Sequence, residues 1–130
     1  MDTRKKIISL RDAAEVAARE RIRGKRVVVD VGYYDPVTAE HARRLEALRQ
    51  NECVLLAVVV DPPEPLLETR ARAELVAALR AVDYVVAAGS EPPGDFLTLL
   101  EGAAVNRSEQ TDLELRQRLI EHVQARHRTT

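Results

Sequence analysis

The stretch Gly32-Tyr33-Tyr34-Asp35-Pro36-Val37-Thr38-Ala39-Glu40-His41 holds the best-placed chemistry in the chain. Gly32 lets the backbone leave a strand without a steric penalty. Pro36 fixes the turn that follows. A helix beginning near Thr38 presents free backbone N–H groups and the positive end of its dipole, an arrangement that suits a phosphate. His41 lies in the first turn of that helix, where it can donate a hydrogen bond to an anion. Asp35 and Asp61 stand at the ends of two strands and form a candidate carboxylate pair; spacing alone assigns them no acid–base role.

Other residue types narrow the chemistry. His122 and His127 are five apart and share no i,i+4 helical face, so no metal site is expected. Cys53 sits within Cys53-Val54-Leu55-Leu56 and reads as a buried structural thiol. A lone cysteine excludes an intramolecular disulfide and fits a reducing cytoplasm, which is the expected location. Arg116, Arg118, Arg126, His127 and Arg128 read as a solvated helix end that favours cations. The formal net charge of −1 and 3% aromatic content argue against general nucleic-acid binding. No apolar run approaches the roughly 20 residues that span a bilayer. The charged start, Met1 to Lys6, does not resemble an apolar signal segment.

The elements that must hold these residues follow from periodicity. At 130 residues, with 45% hydrophobic and 32% charged, the chain is expected to be one globular domain, 1–130. Ser9 caps a helix through Ala13, Val16, Ala17 and Ile22 that stops at Gly24. Val27 to Val31 is a short β-branched run and reads as a buried strand. The helix from about Thr38 to Asn51 turns Ala42, Leu45 and Leu48 inward and Arg43, Arg44, Glu46 and Arg49 outward. Cys53 to Val60 is a second strand, ended by Asp61-Pro62-Pro63-Glu64-Pro65. A helix over about Leu67 to Ala81, with Leu75, Val76 and Leu79 inward, leads to a strand at Tyr84 to Ala87. A loop at Gly89 to Gly94, a short helix at Asp95 to Glu101, a short strand at Gly102 to Asn106 and a helix from Thr111 to Arg126 complete the chain. The last carries Leu113, Leu115, Leu119, Ile120 and Val123 as its apolar set.

The alternation of strands and helices predicts an α/β, three-layer Rossmann-like fold. Its short parallel sheet has three to five strands, with helices on both faces. Ligands then bind outside the carboxyl ends of the strands. This singles out Gly32 to His41, Asp61 to Pro65 and Ala87 to Gly94.

The stretch from Gly32 to His41 resembles the signature Gly-x-Phe-Asp-x-x-His-x-Gly-His of the HIGH-type nucleotidyltransferases. The branch meant is the cytidylyltransferase-like one of glycerol-3-phosphate cytidylyltransferase and of the adenylyltransferase domain of ADP-heptose synthesis. Lys6 to Leu10, Gly24 to Val28 and Arg72 to Val85 resemble that branch as well, so the likeness runs in register over about residues 6 to 90. Arg107-Ser108-Glu109, with Thr111, resembles its Arg-x-x-x-x-Ser-Thr-Thr phosphate segment. The resemblance implies transfer of a nucleotidyl group from a nucleoside triphosphate to a phosphorylated acceptor, with Mg²⁺. Catalysis would come from positioning and charge stabilisation. It implies His41 and Thr38 as the catalytic pair. Gly32, Tyr33, Tyr34, Asp35, Arg72, Arg107, Ser108 and Thr111 would bind nucleotide, and a homodimer is expected.

The departures from that pattern set the functional expectation. Thr38 stands where the first motif histidine would be and brings no positive charge. Glu40 replaces a glycine and sets a carboxylate where backbone should approach polyphosphate. The loop Asp61 to Pro65 has no lysine, and between Leu100 and Asn106 there is no room for the base-reading loop. Losing one histidine alone would cost about 2–4 kcal/mol of transition-state stabilisation. The expectation is a catalytically impaired nucleotidyltransferase-like protein, a pseudoenzyme with residual binding of a nucleotide or phosphorylated small molecule. The alternative is an active enzyme moving CMP or AMP to a phosphorylated sugar or polyol, with Thr38, His41, Arg72 and Arg107 sharing the phosphate charge. Thr38, Glu40 and the missing lysine favour the first.

Overall fold

A computed structural model describes residues 2–50, 52–92, 94, 97–100 and 102–128. Four parallel strands make one sheet in the order β3-β2-β1-β4: β1 Arg26–Gly32, β2 Cys53–Val60, β3 Tyr84–Gly89 and β4 Ala104–Arg107. The helices are α1 Leu10–Ile22, α2 Ala39–Leu48, α3 Thr69–Ala77 and α4 Glu109–Arg128. The chain leaves β1 for β2 on one side and returns to pair β4 on the other. The strand order therefore reverses at the carboxyl ends of β1 and β4, the position where open α/β sheets take ligands.

All eight residues of β2 are buried, as a near-continuous apolar run at the middle of a parallel sheet should be. Alternation then divides the core. Val27, Val29, Val31, Val54, Leu56 and Val58 face α1 through Ala13, Val16 and Ala17. Val28, Leu55, Ala57, Val59 and Val85 face the other way, with Leu45 of α2 and Ala73, Val76 and Ala77 of α3. Helices on both faces complete the three expected layers. Ser9 caps α1 by accepting from Asp12 N at 3.1 Å, and Gly24, at φ +82°, ends it.

Some sequence-based bounds move. α3 starts at Thr69, not Leu67, because Leu66 and Leu67 are drawn aside: their N–H groups donate to Asp35 Oδ2 (2.6 Å) and Oδ1 (3.0 Å); it ends at Ala77, short of the expected Ala81. Leu75, expected inward, is 46% exposed, because Val76 and Ala77 take the sheet-facing positions. Arg44, expected outward, turns under its helix. Residues 95, 96 and 101 of the expected short helix lie outside the described residues, and Thr98–Leu100 is a 3₁₀ turn. Asn51, the expected end of the second helix, also lies outside them.

Candidate functional site

The turn after β1 lies at the reversal point and is tightly held. Tyr34 adopts φ +49°, a left-handed conformation that a bulky residue keeps only when its surroundings compel it. The compelling contacts are visible on both sides. Its N–H donates to Asp112 Oδ2 at 3.2 Å, and its buried hydroxyl donates to Asp30. Tyr33 N also donates to Asp112 Oδ2, at 2.8 Å.

Asp112 comes from the first turn of α4 and is 1% exposed at its side chain. Its carboxylate sits where the turn and the start of α2 aim their donors. His41 Nε2 lies 3.0 Å from Oδ1. Arg44 Nη1 donates to the same oxygen at 2.6 Å, and Nη2 reaches Oδ2 at 3.4 Å. Thr38 N donates to His41 Nδ1 at 3.0 Å, which makes Nδ1 the acceptor and Nε2 the donor to Asp112. Gly32 permits the approach, since a Cβ there would stand 2.5 Å from Asp112 Oδ2.

Asp30, inside β1, is the second buried carboxylate. Its Oδ1 accepts from Asn106 Nδ2 (2.7 Å) and Ser108 Oγ (2.6 Å), while Arg44 Nη2 reaches Oδ2 at 3.1 Å. Arg44 therefore serves two carboxylates at once, and its guanidinium carbon Cζ lies over the Tyr34 ring, 5.3 Å from the centroid. Burial pushes the Asp112 carboxyl up, but hydrogen bonds from His41 and Arg44 outweigh it and hold it below its ordinary value. Burial, reinforced by Asp30, pushes the Tyr34 hydroxyl well above its own. For Arg44, burial opposes the charge, yet the bond to Asp112 and the field of Asp30 raise its pKa.

A second cluster locks the neighbouring loop. Arg72 is fully buried. Its Nε donates to Leu67 O (3.0 Å) and Nη1 to Tyr33 O (2.9 Å) and Val60 O (2.8 Å), while Nη2 meets Asp61 and Thr69 Oγ1. All five guanidinium N–H groups are thus engaged within the protein. Asp35 accepts from Leu66 N and Leu67 N, with Arg116 Nη1 3.6 Å away. A cleft of about 410 Å³ opens beside this cluster, lined by Asp61, Pro65, Leu66, Leu67 and Arg72. Another, of about 370 Å³, lies at the amino ends of the strands, between Lys5, Lys25 and Asp83.

The structure brings together Gly32, Tyr33, Tyr34, Thr38, His41 and Ser108 from the sequence-based set. It leaves others apart. Asp35 and Arg72 face the loop after β2, Arg107 pairs with Glu109 at 3.0 Å, and Thr111 is exposed. Glu40 points outward and pairs with Arg43, away from the turn. Sequence reasoning missed Asp30, Arg44 and above all Asp112. The signal for Asp30 was present: a charged residue within the apolar run Val27-Val28-Val29-Asp30-Val31 asks for a buried partner. Among the described residues no group of three or more His, Cys, Asp or Glu is placed to hold a metal ion, and no helix is long and apolar enough to cross a membrane.

No family model matches the chain. Its relatives include the bifunctional protein HldE of Trichlorobacter lovleyi, 30% identical over 109 residues, which cover 77% of this chain and 22% of that protein. HldE of Syntrophotalea carbinolica is 35% identical over 101 residues, covering 71% and 20% respectively. HldE of Chromohalobacter salexigens is 35% identical over 98 residues, covering 68% and 20%. The chain spans about a fifth of the length of these relatives.

Proposed function

The chain is a HIGH-type, nucleotidyltransferase-like domain homologous to one part of the bifunctional HldE proteins, and from that premise we propose that it does not turn over nucleotides while its own Asp112 fills the anion cradle. The single observation that carries this reading is the Asp112 carboxylate on Tyr33 N, Tyr34 N, His41 Nε2 and Arg44. A polyphosphate needs those same donors, and a transition state gains nothing from groups already spent on the ground state. Thr38 in place of a histidine and the absence of lysine from Asp61 to Pro65 support the same conclusion. The test is pyrophosphate release from ATP or CTP with Mg²⁺ and a panel of sugar and polyol phosphates. The expected result is no release above the protein-free blank; steady turnover with any pair overturns the reading.

One observation favours the alternative, an active enzyme moving AMP or CMP to a phosphorylated sugar or polyol. Glu40 is exposed and paired with Arg43, so its carboxylate does not obstruct the turn. Against it, Arg72 has no N–H left for a phosphate. Mg²⁺ is implied by the same chemistry, but the protein offers it little. Asp30, Asp35 and Asp112 all direct their oxygens to N–H and O–H donors, so the residues present do not form a magnesium site.

A further inference from the structure

Resting on that reading, we propose that α4 is a displaceable ionic latch, and that a phosphate group, as a free anion or a terminal phosphoryl, takes Asp112's place among Tyr33, Tyr34, His41 and Arg44. Three observations converge on it.

The donors exceed what the carboxylate can use. Five N–H contacts crowd onto two oxygens: Tyr33 N and Tyr34 N at 2.8 and 3.2 Å, His41 Nε2 at 3.0 Å, and Arg44 Nη1 and Nη2 at 2.6 and 3.4 Å. The buried Arg44 Nε still has no hydrogen-bond partner among the described residues. A phosphate brings more acceptor oxygens and up to twice the charge to the same cradle. Backbone amides at a turn joined to an arginine fork also match tetrahedral oxyanion geometry better than a flat carboxylate.

The helix that carries Asp112 is seated shallowly on the sheet. Of the twenty residues of α4, Asp112 alone is buried. Leu113, Leu115, Leu119 and Ile120 are half-buried, and Val123 is 57% exposed. Arg116 adds polar ties at the rim: it donates to Pro63 O (3.1 Å) and Glu64 O (3.2 Å) and lies 3.6 Å from Asp35 Oδ2. A helix whose apolar side chains are only half-buried undocks at a lower cost than one seated in the core.

The cradle is built for an anion lying against backbone. Gly32 leaves open the space a Cβ would fill, at 2.5 Å from Asp112 Oδ2. The remaining contacts of Arg44 and Ser108, to Asp30, keep the cradle's floor in place when α4 leaves.

Asp112 is tethered, so it competes at an effective concentration in the millimolar range or above. An external phosphate therefore binds the native chain with an affinity reduced by the fraction of molecules in which the latch is open.

The experiment is calorimetric titration of the full chain with inorganic phosphate, and separately with pyrophosphate and ATP, for the native protein, Asp112→Ala and Arg116→Ala. Asp112→Ala should bind inorganic phosphate at least 100-fold more tightly than the native chain, and Arg116→Ala about tenfold more tightly. Asp112→Ala combined with Arg44→Gln should return to the native level. The hydrogen bonds of Arg116 go to Pro63 O and Glu64 O, not to the anion-binding donors, so it reports on the latch if Asp112→Ala does not fold. A folded Asp112→Ala, or a folded Arg116→Ala, that binds phosphate no better than the native chain overturns the proposal; so does a gain that survives loss of Arg44. Tighter binding of pyrophosphate or ATP than of inorganic phosphate identifies a terminal phosphoryl as the ligand, and equal binding a free anion. Turnover by the native chain overturns the reading of the previous section. Failure of Asp112→Ala to gain phosphate overturns only the latch.

Discussion

At Asp112 a single proton decides how firmly the turn after β1 is held. Its folded pKa lies below the ordinary value, so its contribution to stability is present above the unfolded value near 4 and is lost as pH falls through the folded one. Denaturant midpoints should therefore drop below about pH 4, and Asp112→Asn should flatten that slope. Tyr34 has the opposite sign. Its folded pKa is raised, so its contribution is complete below the unfolded value near 10 and is lost as pH climbs further. Tyr34→Phe should cost about 1–3 kcal/mol at pH 7, by leaving Asp30 short of a donor, while removing that alkaline loss; urea titrations at pH 7 and pH 10.5 check both. Arg72→Ala should cost about 3–5 kcal/mol in the same assay, because it leaves Asp61 without its ion-pair partner and deprives the carbonyls of Tyr33, Val60 and Leu67 of its N–H groups. Arg72→Lys should not restore it, since an ammonium cannot reach acceptors spread around a planar fork.

The elements differ in how plainly the sequence announces them. β2 was legible to the residue, since eight consecutive apolar positions ending at Asp61-Pro62-Pro63 leave no other reading. α1 was equally clear from Ser9 and Gly24, and Ser9→Ala should cost about 1 kcal/mol by urea unfolding. Gly32, Thr38 and His41 marked the turn as the place for chemistry, and the structure brings them together there. What fills the turn was not legible. Asp112 and His41 are 71 residues apart, and no local pattern records a pairing over that distance. Arg44 reads as solvent-facing because it sits among charged neighbours on α2, and periodicity cannot distinguish a charge that faces water from one that reaches a buried carboxylate. Leu75 failed for the converse reason: an apolar residue on an amphipathic helix need not face the sheet.

For the molecule as a whole, the two sides of the sheet should open at different free energies. β1 and β2 lie between two core clusters, whereas α4 has one fully buried residue, Asp112. Amide hydrogen exchange should be slowest in β1 and β2 and fast beyond the first turn of α4, and phosphate should speed exchange in α4 while leaving β2 unchanged. Uniform protection across α4 and β2 would contradict this division. Cys53 makes the division measurable by a second route. The thiol is 6% exposed, at the start of β2 and in register with Arg26, on the α2–α3 side of the sheet. A sulfhydryl reagent therefore reacts with this chain only when the sheet itself comes apart. Shedding the last helix leaves the thiol silent, so its labelling rate is a clock for global unfolding that the helix does not disturb.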